Sequence, residues 1–241
     1  MSKKINLIRT RGLGLSLRLF KYEKLDMTAT ALTKKLKEFE YKPKKGEISS
    51  GFMNVKTAGT ITVAEFMAEF RVPYFSYSDT GDRVGSHVVS LDKAEVLIKT
   101  ESGTIEVRGS ERIASKFARL LEEATGAKVS VLNLNGGIKK LYEKASDISA
   151  VLLSDVEKGP LHQIEFRGSG IQTEPEVGMY ERRYKGAITR FRGSFVYPTS
   201  KAMYPTVING IKGSLMIYGS GDGIPEKDVE WIVKMMEDAA P

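Results

Sequence analysis

The stretch "YERRYKGAITRFRGSFVY", residues 180–197, interleaves arginine and tyrosine. Read as one extended strand, it puts Tyr180, Arg182, Tyr184, Ile188, Arg190 and Arg192 on a single face at period two. Arg183 and Lys185 add charge beside them. Guanidinium groups meet phosphates and phenol rings stack on bases, so such a face suits nucleic acid. The competing reading is a sheet edge that charge protects from unwanted pairing.

Other candidates carry less. His87 and His162 are the only histidines. His162 stands in phase with Ile164 and Phe166, which predicts a packed side chain, and His87 aligns with Phe195, which predicts the same. Neither has an acidic neighbour at metal-ligand spacing, so no metal site is expected. "RGLGLS" begins like a dinucleotide fingerprint but lacks its third glycine and opens a strand. "GSGDGIPE" (219–226) sits between a strand and a helix N-terminus, where N–H groups hold phosphates, but no Lys-Ser/Thr follows it. Glu174 and Glu176 flank Pro175 in what reads as a solvated turn. No cysteine is present, which excludes disulfides, thiolate nucleophiles and sulfur-ligated zinc. No catalytic residue and no cofactor is assigned.

Charge is distributed unevenly. The chain has a formal net charge of +7, and residues 1–46 hold thirteen Lys and Arg against four Asp and Glu. The remainder is slightly acidic. Arg9, Arg11, Arg18, Lys34, Lys35 and Lys37 therefore join the arginines of 182–192 as candidate contacts to a polyanion, whether nucleic acid or an acidic protein. No apolar run is long enough to span a bilayer, and the N-terminus lacks the apolar core of a signal peptide, so a cytoplasmic protein is expected. Abundant Lys and Glu with scarce Gln and Asn resemble a thermophile's composition.

These residues must be positioned by a repeated unit. "LGLSLRL" (13–19) alternates as a half-buried strand, and "TATALTKKLKEFE" carries Leu32, Leu36 and Phe39 at helical spacing, with Asp26 or Thr28 as its cap. Strands follow at 61–71, 74–78, 84–90, 94–99 and 103–108. Ser110 then caps a helix striped by Ile113, Phe117, Leu120, Leu121 and Ala124, which Gly126 ends. The second half repeats this order: a strand at "AKVSVLNL", a helix at "GGIKKLYEKA", strands near 149–154, 161–167, 180–197 and 205–218, and a last helix from Pro225 with Val229, Ile232, Val233 and Met236 inside. "GSHVVSLDKA" (85–94) lies over "GSFVYPTSKA" (193–202), "GTIEVRGS" (103–110) over "GSLMIYGS" (213–220), and "EFR" occurs at 69–71 and 165–167. The expected fold is α+β: two pseudo-symmetric repeats, residues 1–125 and 126–241, each an antiparallel sheet covered on one face by helices, sharing one core.

This order of elements resembles the TATA-box-binding-protein family, whose two repeats of strand, helix, antiparallel strands and long helix form a saddle. The likeness is densest at "VLIKTESGTIEVRGSE" (96–111), where the family has a similar apolar pair, Ser-Gly turn, strand and Gly before its helix. In the family a phenylalanine after that pair wedges between DNA bases. Lys99 holds that position here, and Asn209 lies near it in the second half. A wedge needs an apolar side chain, so the resemblance implies the fold without TATA-box bending. A helix laid over an antiparallel sheet also describes helix-grip ligand-binding proteins.

The first expectation is thus a non-enzymatic protein that contacts nucleic acid through a basic, aromatic sheet face and a basic N-terminal region. The second is an interaction or regulatory module that binds a protein through the same saddle. The third is a small-ligand binder or enzyme with a cavity beneath its helices.

Overall fold

The computed structural model describes residues 6–10, 12–23, 25–219 and 223–241. In chain order it begins with β1 (Leu7–Ile8), β2 (Gly14–Glu23), α1 (Ala29–Glu38), β3 (Ser50–Ala58), β4 (Ile61–Tyr77) and β5 (Arg83–Lys99). Next come β6 (Thr104–Arg108), α2 (Glu111–Thr125), β7 (Lys128–Val131), α3 (Ile138–Lys144), β8 (Asp147–Lys158) and β9 (Leu161–Arg167). The chain ends with α4 (Pro175–Tyr184), β10 (Ala187–Val196), β11 (Met203–Asn209), β12 (Ser214–Tyr218), β13 (Ile224–Pro225) and α5 (Glu226–Ala239). The class is α+β with open antiparallel sheets. No helix among the described residues is long and apolar enough to cross a membrane.

Contacts divide the chain into two compact units, one of Phe20–Ser130 and one of the residues through Leu19 together with Val131–Pro241. The start of the chain thus packs with its second half, where the sequence suggested halves of 1–125 and 126–241.

In the Phe20–Ser130 unit, β3, β4, β5 and β6 form a meander, with the end of β2 beside β6. Thr28 caps α1 by accepting the Ala31 N–H at 3.2 Å. Leu32 and Leu36 are the apolar stripe it buries. Ser110 precedes α2, but its hydroxyl bonds Asp92 at 3.2 Å and leaves the helix without a side-chain cap. Ile113, Phe117 and Leu121 are fully buried against the sheet. Phe117 meets Phe66 edge-on at 5.6 Å and Phe52 at 6.1 Å, so three rings from one helix and two strands fix the core.

The expected strands at 61–71, 74–78, 84–90 and 94–99 merge here into one hairpin. β4 and β5 pair without a break from Ile61↔Lys99 to Tyr77↔Arg83. His87 lies on this hairpin and is exposed, while Phe195, its counterpart in the sequence alignment, is buried. The aligned segment 193–202 instead ends β10 and turns toward β11.

In the other unit the sheet order is β9-β8-β10-β11-β12, with the start of β2 beside β12. Leu15, Leu17 and Leu19 enter the core as their alternation predicts, whereas Leu13 is 80% exposed. α3, α4 and α5 all pack into that core, through Ile138 and Leu141, Val177 and Tyr180, and Val229, Ile232, Val233 and Met236. The strand residues in the same core, among them Val151, Leu153, Phe191, Phe195, Leu215 and Ile217, point to the helices, so the opposite face of this sheet is open. At the start of α5, buried Asp228 accepts the backbone N–H groups of Thr199 at 2.6 Å and Ser200 at 2.9 Å.

Residues 174–185 differ from expectation. Pro175 occupies the first turn of α4, Glu174 precedes it and Glu176 lies in that turn. They are a helix start, where proline is pre-organised, and not a solvated loop. His162 is exposed on β9, although Ile164 and Phe166 are partly buried.

Candidate nucleic-acid interface

The 180–197 stretch is not one strand, so its arginines part company. Residues through Tyr184 complete α4, Lys185 closes the helix with φ of +56°, and the strand begins at Ala187. Helical spacing turns Val177 and Tyr180 into the core and sends Arg182 and Arg183 outward. Tyr184 lies between two cations, 5.1 Å from Lys158 Nζ and 5.5 Å from the Arg183 guanidinium carbon. Lys185 pairs with Glu157 at 2.8 Å. This cluster belongs to the helix-covered side of the sheet.

Arg190 and Arg192 lie on the opposite, open side. β10 shifts register against β8 between Ile188 and Arg190. This bulge takes Arg190 out of phase with Ile188, which is buried among the helices. Residues directly opposite in antiparallel strands share a face, so the register reads out two rows. Arg167, Ala150, Arg192, Val207, Met216 and Ser16 form one. Glu165, Leu152, Arg190, Asn209, Ser214 and Arg18 form the next. Small and medium side chains separate the arginines, and a groove of about 390 Å³ runs over them, bounded by Glu165, Arg167, Arg190, Arg192 and Tyr218.

Glu165 organises the groove. Its two oxygens accept Arg167 Nη2 at 2.8 Å and Arg190 Nη2 at 2.9 Å. The Arg167 hydrogen bond, aided by Arg190, holds its carboxyl below the usual carboxylate range. Arg192 makes no ion pair among the described residues. Its guanidinium carbon lies 5.1 Å from the centre of the Tyr218 ring, a cation–π contact on an exposed side chain. Three guanidinium groups, one carboxylate and one ring thus share an open face with a local charge of +2.

The remaining candidates lie elsewhere. Arg18 ends its row but is only 7% exposed. Arg9 is exposed just after β1, which pairs with β13 and not with the large sheet. Arg11 lies outside the described residues. Lys34, Lys35 and Lys37 are on α1 of the other unit, where Lys35 bonds Glu38 at 2.7 Å. The "GSGDGIPE" loop falls partly outside the described residues.

Glu165, Arg167 and Tyr218 join the site although the sequence reading did not select them. Their phase was visible: Glu165 and Arg167 alternate against Ile164 and Phe166. Their meeting with Arg190 and Arg192 depends on β8 lying between β9 and β10, a pairing that no local pattern encodes.

No protein-family model matches this chain, and no curated protein sequence matches it.

Proposed function

We propose that this is a non-enzymatic nucleic-acid-binding protein whose contact surface is the open sheet face bearing Arg167, Arg190 and Arg192. The observation that carries the reading is the pair of register rows, which bring Arg167, Arg190 and Arg192 together over one groove that Tyr218 also lines. Glu165 restrains Arg167 and Arg190, and Tyr218 restrains Arg192, so part of their side-chain freedom is already spent before phosphates replace water. Backbone contacts of this kind carry affinity and little sequence preference.

The fold behind it reads as an ancient duplication in the manner of the TATA-box-binding-protein family. The support is that β3-β4-β5-β6 in one unit and β8-β10-β11-β12 in the other have the same neighbour order. Each is preceded by a helix and followed by a long one, with β9 and α4 inserted in the second.

The test is anisotropy titration of short labelled oligonucleotides, duplex and single-stranded, over a range of salt. Arg190→Ala with Arg192→Ala should reduce the log–log salt slope on duplex by up to about 2, since each phosphate contact contributes about 0.9. Lys227→Ala with Lys234→Ala, exposed on α5, should leave it unchanged. Absence of binding at low salt, or equal losses in both variants, overturns the reading.

A further inference from the structure

The β4–β5 hairpin is much longer than its sheet. β3 pairs with β4 only as far as Ala68, and β6 pairs with β5 only as far as Glu95. α2 grips the next step: Arg112 Nε bonds Asp92 at 2.7 Å, its guanidinium carbon lies 4.6 Å over Phe70, and Lys116 Nζ bonds the Glu69 carbonyl at 3.0 Å. From Arg71 to Leu91 the two strands pair with each other, and among the described residues the outer edges of both lack a third strand. The tip is firmly built, with the Asp82 N–H on Ser78 Oγ at 3.0 Å and the Gly81 N–H on the Ser78 carbonyl at 2.9 Å.

This arm shows water an apolar surface on both faces. Phe75 is 60% exposed and Tyr77 80%, and Val84, Val88, Val89 and Leu91 are each about half exposed. An isolated two-stranded ribbon is marginally stable in water. Sheet edges are normally guarded by lysine, charge or proline. Here no lysine occurs between Lys56 and Lys93, in a chain with 37 Lys and Arg. The β4 edge is interrupted by Pro73, which has no N–H to offer and sits in strands with that side facing outward. The β5 edge has no such guard: Val84–Leu91 contains no proline and no Asp, Glu, Lys or Arg.

We propose that β5 pairs edge to edge with β5 of a second copy of this chain, antiparallel about a two-fold axis, so that two arms make one four-stranded sheet. A two-fold at His87 sets Val84 opposite Ser90, Gly85 opposite Val89 and Ser86 opposite Val88. Small and apolar side chains then meet with no like charges, although the chain as a whole carries +7. Such a contact is self-complementary and closes at two copies.

The test is the mass of the full chain in solution by sedimentation at about 5 to 100 µM, a range around ordinary dissociation constants. The wild type should run at twice 26.7 kDa, and Val88→Lys with Val89→Lys should run as monomer with an unchanged circular dichroism spectrum. His87→Cys is a second probe in a chain without cysteine. Facing itself across the axis, at the spacing of paired strands, it should oxidise to a covalent dimer, whereas Lys227→Cys should not. A monomeric wild type overturns the proposal. So does a dimer that survives both lysines, or one that fails to cross-link at position 87.

Discussion

Glu165→Gln should strengthen nucleic-acid binding. The carboxylate ties down Arg167 and Arg190 together, with side chains 72% and 40% exposed. Exposed pairs of this kind contribute about 0.2–1 kcal/mol each, so losing both should cost the fold no more than about 2 kcal/mol. Glutamine keeps the shape and one acceptor but removes the charge. The face then rises from +2 to +3, and two guanidinium groups become free to meet phosphates. Arg190 already counts among the phosphate contacts, so the newly released Arg167 should add about 0.9 and the slope on duplex DNA should steepen by about 1. Low-salt affinity should rise with it, and the gain should fade as salt approaches the molar range, where the Debye length falls to about 3 Å. The assay is anisotropy at several salt concentrations, with a urea melt to confirm that both proteins are folded. Glu40→Gln in the other unit removes the same formal charge, where Glu40 pairs with Lys42 at 3.2 Å. If the two variants gain equally, net charge alone governs binding. If Glu165→Gln binds more weakly or with the same slope, the groove does not hold the phosphates.

Phe117→Ala should destabilise the protein by about 3–5 kcal/mol in a denaturant melt, because the ring is fully buried between Phe52 and Phe66. Asp228→Ala should cost about 2–6 kcal/mol by stranding the Thr199 and Ser200 N–H groups, each worth roughly 1–3. Burial works to raise the Asp228 pKa, but the Ser200 and Thr199 hydrogen bonds outweigh it and hold it below the carboxylate range. Its stabilisation is therefore present above the unfolded carboxyl pKa and lost as pH falls through the folded one, and acid melts of Asp228→Asn should lack that component. Gly137→Ala should lower the melting temperature despite alanine's better helix propensity, because the added Cβ runs into the Ala239 carbonyl of α5.

Where periodicity was long or caps were strong, the sequence was legible. Leu15, Leu17 and Leu19 on β2, the α2 stripe ended by Gly126 and the α5 stripe from Val229 all lie where their spacing puts them. Residues 61–71 fit helix and strand equally by pattern, and the repeat of "EFR" favoured strand, as found in β4. The same reliance on alternation failed at 180–184. Tyr180, Arg182 and Tyr184 recur at period two, but Val177, Tyr180 and Tyr184 recur at three and four, and Pro175 starts the helix. Glu-Pro-Glu carries a turn signal and a helix-start signal alike, and packing of Val177 and Tyr180 selects the second. The bulge before Arg190 was equally hidden, since it is set by the partner strand.

The two exposed features differ in kind. A lysine-rich surface of general solvating character would spread its charge over every exposed segment. Instead 57–92 has no lysine and shows valine, tyrosine and phenylalanine to water, while the groove collects arginines. Apolar edges without charge recruit strands, and fixed guanidinium groups recruit anions. The two proposals assign protein association and polyanion binding to different residues, so the two should be separable by mutation. Val88→Lys with Val89→Lys should change the mass in solution and leave the salt slope on a short oligonucleotide intact. Arg190→Ala with Arg192→Ala should do the reverse. If either variant moves both readouts together, one surface is serving both purposes, and the division of labour argued from these residues does not hold.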